Sequence, residues 1–156
     1  MVTTRMEPID WNTEYGNRSS SMLEELGTLV GMESPSRDAE GLRVVADYVA
    51  RQLRSCDASV TTADEHSNGP NLVARFGTGD RPVLVLGHLD TVWARGTLAK
   101  MPWRIEDGRA YGPGAFDMKP GIVVIMEALR GLARHHFSTP VVVVANKAEG
   151  KAQEGG

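Results

Sequence analysis

His88 and Asp90 directly follow an apolar run at residues 82–87. Their i, i+2 spacing in an extended segment points both side chains to the same side. A carboxylate beside an imidazole can accept one ring N–H and leave the other nitrogen free for a metal ion. The same spacing also suits a strand-end histidine with a capping aspartate. Asp117 lies between a glycine-rich turn, Tyr111-Gly112-Pro113-Gly114, and a helical stretch. There an aspartate is either a ligand or a plain helix N-cap. Glu149 follows a second apolar run at residues 140–145, either at the same sheet edge, if the strands are parallel, or as a solvated tail residue. One histidine and several carboxylates at strand ends have the make-up of an oxygen-rich zinc site. Spacing leaves both readings open.

These residues need a scaffold, and the hydrophobic pattern supplies one. Met22, Leu23, Leu26, Leu29 and Val30 recur at helical spacing after the candidate caps Ser19 to Ser21, and Glu33-Ser34-Pro35-Ser36 breaks the helix. A second helix carries Leu42, Val45, Ala46, Val49 and Leu53, with Asp38 or Ser36 as its cap. Residues 59–62 and 71–76 read as strands around a Ser67-Asn68-Gly69-Pro70 turn, the second exposed on one face. The run at 82–87 reads as a central strand covered on both faces. Asp107-Gly108 marks a hairpin, residues 119–135 a third helix, and residues 140–145 another apolar strand.

Strands alternating with helices predict an α/β layered domain with a mostly parallel central sheet flanked by helices. The strand ends carrying His88 and Glu149 then fall on its carboxyl edge, where such sheets bind ligands. Residues 1–17 read as a loose lead-in, 18–146 as one partial domain and 147–156 as a low-complexity, disordered tail.

Composition narrows the function. A net charge of −3 shows no basic surplus, which argues against nucleic-acid and membrane partners. No apolar run reaches the roughly 18–20 residues a membrane helix needs, and the polar start has no signal core, so a soluble, cytoplasmic protein is expected. One cysteine, Cys56, excludes an internal disulfide framework. It reads as a structural thiol, with no histidine nearby in sequence to activate it. No phosphate-binding glycine loop and no Gly-x-Ser-x-Gly elbow is present.

Gly87-His88-Leu89-Asp90-Thr91-Val92, Gly96-Thr97-Leu98, Pro102-Trp103-Arg104, Gly108-Arg109-Ala110-Tyr111-Gly112-Pro113-Gly114 and Asp117-Met118-Lys119 follow one another in order. This series resembles the N-terminal part of the dinuclear zinc aminoacylase/carboxypeptidase family. That family includes glutamate carboxypeptidase, acetylornithine deacetylase and succinyl-diaminopimelate desuccinylase. The Gly-Thr-Leu and Gly-Arg-Ala-Tyr-Gly-Pro-Gly stretches are most similar to the glutamate carboxypeptidase branch. The resemblance implies Zn2+, two ions per site, with another divalent metal such as Co2+ as a substitute. It makes His88 a ligand of one zinc, Asp90 the catalytic carboxylate that orients it, and Asp117 the bridge between both ions, followed by a cis peptide bond. Glu149 falls at the general base. The implied reaction is hydrolysis of an amide bond in an N-acyl amino acid or peptide with a free C-terminal carboxylate and a glutamate-type side chain.

The match departs at Gly150, which stands where the family has a zinc-binding glutamate, and at Pro120, which replaces a small residue. Family members are also much longer and carry further ligands downstream. The resemblance therefore implies a truncated metallopeptidase that is inactive alone, because a catalytic zinc usually keeps three protein ligands. The competing expectation is a non-enzymatic or partner-dependent α/β remnant with at most weak zinc binding, self-associating through exposed surface. A one-metal binding module is a third.

Overall fold

The computed structural model describes residues 8–64 and 69–147. Five helices and six strands follow in the order α1 (Trp11–Gly16), α2 (Ser19–Val30), α3 (Ala39–Arg54), β1 (Ser59–Asp64), β2 (Pro70–Phe76), β3 (Val83–His88), α4 (Thr97–Lys100), β4 (Arg104–Glu106), β5 (Arg109–Tyr111), α5 (Lys119–Arg134) and β6 (Val141–Asn146). Asp38 caps α3 by accepting from Gly41 N, so Ser36 is left for another partner. The serines at the start of α2 do not cap it: the Ser19 and Ser21 hydroxyls donate backwards, to the Gly16 and Arg18 carbonyls. Asp107 and Gly108 both take positive φ, 50° and 71°, as a two-residue turn between β4 and β5 requires.

The sheet has the order β1-β2-β6-β3. Helices flank it, as the α/β layered reading expects, but it is mixed rather than mostly parallel. Only the β3–β6 pair is parallel; β1–β2 and β2–β6 are antiparallel. For β1–β2 the reason is local, since a short connection returns the chain antiparallel; β2 and β6 are far apart in the chain, so tertiary packing sets their antiparallel pairing. β2 and β6 are the two interior strands, and alternate residues of each are buried. β3 lies at the sheet edge among the described residues, and Val83, Leu84 and Leu86 are 55%, 60% and 67% exposed. Its apolar run thus misreads as covered on both faces.

Leu29, Val30, Val45, Leu53, Leu72, Met126 and Leu129 form the buried core between helices and sheet. Cys56 is buried there and donates to the Leu53 carbonyl, and burial pushes its thiol up from the ordinary range. Within the stretch read as a lead-in, Asp10 caps α1 through Asn12 N and Thr13 N. Trp11 then packs against His135 and Phe137 at the end of α5. Periodicity misses a helix this short because it holds barely one apolar repeat. No described helix is long and apolar enough to cross a membrane.

Candidate metal site

The parallel register pairs His88 with Asn146, so the end of β3 sits beside the end of β6. His88 is held from three directions. Its backbone N–H donates to Met118 Sδ at 3.2 Å. Its ring Nδ1 lies 3.0 Å from the Asp90 carbonyl and 3.2 Å from Asp90 Oδ1. Its Nε2 lies 3.1 Å from Asp117 Oδ1. Gly87 makes room for this arrangement: a Cβ there would meet Ile122 Cδ1 at 3.2 Å and Met118 Cε at 3.3 Å.

The protonation pattern follows from donor and acceptor chemistry. Both neighbours of Nδ1 are oxygen acceptors, so Nδ1 carries the proton. A neutral ring then presents the Nε2 lone pair to the Asp117 carboxylate, which is also an acceptor. Two such atoms at 3.1 Å are bridged either by a proton, on the ring or on the carboxyl, or by a metal ion. Adjacent ligands around a tetrahedral zinc with bonds of about 2.0–2.1 Å lie roughly 3.3 Å apart. The His88–Asp117 pair therefore fits one edge of a metal's ligand shell.

Burial sorts the two carboxylates. Asp90 is 3% exposed, whereas the Asp117 side chain is 70% exposed and open to solvent. The Asp117–Met118 peptide bond is cis. Among the described residues, no group of three or more His, Cys, Asp and Glu side chains converges where a metal ion could sit. Glu149 and Gly150 lie outside the described residues.

Sequence patterns missed the residues that position this pair. The connection between α2 and α3 contributes most of them. Ser34 Oγ donates to the Leu89 carbonyl at 2.8 Å, and Ser36 Oγ donates to Asp90 Oδ2. Glu33 accepts from Gly96 N and Leu98 N, both at 2.8 Å, which holds its carboxyl below the usual range. Asp38 pairs with Arg95. Lys119, at the start of α5, is 3% exposed and reaches across to the end of α2. Its Nζ donates to the Leu29 and Met32 carbonyls at 2.7 and 2.6 Å. Burial lowers its pKa to about 8, against the pull of Glu33. One connection thus anchors the strand end with His88 and Asp90, the α4 loop, and the helix start after Asp117. No local motif announces this, because every bond spans more than fifty residues.

A second cluster of charge lies away from the strand ends. Arg130 forms a fork with Glu25 at 2.6 and 2.7 Å, and Glu127 joins it to Arg134 at 2.8 Å. Its charges are paired with one another, and it ties α5 to α2 rather than offering a ligand site.

Residues 84–156 match the profile of peptidase family M20/M25/M40. Over 118 residues, covering 74% of this chain, the sequence is 34% identical to carboxypeptidase G2 of Pseudomonas sp. (strain RS-16). The chain belongs to peptidase family M20/M25/M40. Acetylornithine deacetylase of Edwardsiella ictaluri is 32% identical over 54% of the chain, and succinyl-diaminopimelate desuccinylase of Acidiphilium cryptum 36% identical over 54%. The chain spans 28% of the carboxypeptidase and 23% and 24% of the other two. Its fold is similar to part of human carnosine dipeptidase 1, with a TM-score of 0.74 at 19% identity, covering 86% of this chain and 33% of that one. It is also similar to part of an M20 family metallo-carboxypeptidase from Sulfolobus solfataricus, with a TM-score of 0.67 at 18% identity, covering 81% and 30%.

Proposed function

We propose that this M20 chain carries part of the active site of a zinc metallopeptidase or amidohydrolase of carboxypeptidase type. Its substrate class is an N-acyl amino acid or short peptide, cleaved at the amide bond. The observation that carries this reading is the facing pair of His88 Nε2 and Asp117 Oδ1, 3.1 Å apart, a spacing that a bridging proton or a metal ion satisfies. Family membership supports a hydrolase role, and the names of the relatives support the substrate class.

His88 and Asp117 would hold the metal, with Zn2+ the ion best matched to one imidazole and one carboxylate. A bound zinc supplies the Lewis acidity that polarises an amide carbonyl and acidifies water. Asp90 holds the His88 ring in the Nδ1–H form and keeps Nε2 available as a ligand. Glu149, just beyond the last β6 residue Asn146, is assigned the general base that takes a proton from water and returns it to the leaving amine. Asp117, open to solvent, is the side of the pair that a second ion would reach.

One observation favours a second reading, an α/β unit that binds zinc weakly unless further ligands are supplied. Only two donors face each other among the described residues, and two ligands hold zinc poorly.

Equilibrium dialysis against micromolar zinc, followed by metal analysis, separates these readings. About two zinc ions per chain, with metal-dependent hydrolysis of an N-acyl glutamate, supports the hydrolase for this molecule. A value near zero supports the second reading and assigns His88 and Asp117 a structural role here.

A further inference from the structure

Ser36 lies in the connection between α2 and α3, and its hydroxyl donates to Asp90 Oδ2 across 54 residues of chain. The other Asp90 oxygen, Oδ1, lies 3.2 Å from His88 Nδ1. One buried carboxylate is therefore held between a hydroxyl and the imidazole that faces Asp117. The connection does not depend on that hydroxyl for its own place. Thr91 N donates to the Ser34 carbonyl at 2.8 Å, Ser36 N to the Thr91 carbonyl at 3.2 Å, and Ser34 Oγ to the Leu89 carbonyl at 2.8 Å. The Ser36 hydroxyl is thus an addition to an anchored loop, aimed at Asp90 and, at 3.3 Å, at the Thr91 carbonyl.

We propose that Ser36 is a positioning residue whose hydroxyl fixes the Asp90 carboxylate, so that the His88 ring presents Nε2 to Asp117. The hydroxyl removes the freedom of the carboxylate to turn about its terminal torsion, which is broad and two-fold. It acts on the ring only through Asp90. The consequence for zinc affinity rests on the metal-site reading above; the orientation of the ring does not, and it holds in the metal-free chain.

The test uses the 156-residue chain with Ser36→Thr and Ser36→Val, which match in shape and differ in the hydroxyl. Each is made alone and in an Asp90→Ala background. Two quantities are read: the ring 1H–15N correlations of His88 in the metal-free chain at fixed pH, and zinc affinity by competition with a chromophoric chelator. Ser36→Val is expected to move the His88 ring signals and to weaken zinc about ten-fold, as loss of an outer partner of a ligand typically does. Ser36→Thr is expected to keep both near wild type. In the Asp90→Ala background the two variants are expected to be alike, since a residue acting through another shows no further effect once that other is gone. Ring signals unmoved by Ser36→Val would overturn the proposal. So would an equal loss with Asp90 absent, because that is a general effect on the loop. If the wild-type chain takes up no zinc while the Asp90-dependent ring shift remains, the positioning role stands and the metal-site reading falls.

Discussion

The Lys119 ammonium donates to the Leu29 carbonyl at 2.7 Å, joining residues 90 positions apart in a buried contact. With a second bond to the Met32 carbonyl, it ties the start of α5 to the end of α2, where the Leu29 carbonyl also accepts from Met32 N at 3.1 Å. Replacing Lys119 by methionine keeps the stem and removes both bonds. Lys119→Met is expected to cost about 1.5–3 kcal/mol, the range for losing a hydrogen bond to a charged group. Urea denaturation followed by circular dichroism reads this directly. A change below about 0.5 kcal/mol, the size of an ordinary surface substitution, would mean the clamp is idle.

The two faces of the His88–Asp117 pair differ in burial, and their variants should differ accordingly. Asp117 is open to solvent, so Asp117→Asn is expected to lower zinc affinity at least ten-fold with a stability change within about 0.5 kcal/mol. Asp90 is buried against His88 and Ser36, so Asp90→Ala is expected to lower both affinity and stability, the latter by about 1–3 kcal/mol. Chelator competition and thermal melts on the same samples separate the two cases.

Arg130 holds Glu25 in a fork and touches Glu127, whose side chain is 4% exposed. Removing one member of a buried ion cluster leaves the others unpaired. Arg130→Met is expected to destabilise by about 3–5 kcal/mol, and a combined Glu25→Leu, Arg130→Met chain to recover part of that loss. Equal losses in the two chains would show that the cost comes from packing alone.

Glu33 links acid sensitivity to the α4 loop. The N–H groups of Leu98 and Gly96 hold its carboxyl below the ordinary value of 4.5. A carboxyl lowered on folding contributes stability that is complete above the unfolded value and lost as pH falls through the folded one. The thermal midpoint is therefore expected to stay level from neutral pH to about 5 and to drop below 4.5. Asp38, lowered by Gly41 N and Arg95, adds in the same direction. Glu33→Gln should lower the midpoint at neutral pH and flatten the acid limb; an unchanged limb would assign acid sensitivity to other carboxyls.

Much of the scaffold and the chemistry was legible in residue order. The apolar periods of α2, α3 and α5 locate these helices because each buries one stripe and repeats it over several turns. Asp107-Gly108 defines its hairpin because both positions take positive φ. His88, Asp90 and Asp117 stand out by residue type and by their places at a strand end and after a glycine turn, although spacing alone left the structural and ligand readings both open. Those facts are local, and local sequence carries them. Tertiary structure alone decided the rest. It paired β6 with both β2 and β3 and left β3 at the edge, although the two apolar runs are equally hydrophobic by pattern. It assigned Asp38 to the helix cap and released Ser36 for Asp90. It also gathered Lys119, Ser34, Ser36 and Glu33 around one connection. Hydrogen bonds between groups far apart in the chain leave no periodic trace, because each depends on where packing brings two segments together and not on the spacing within either one.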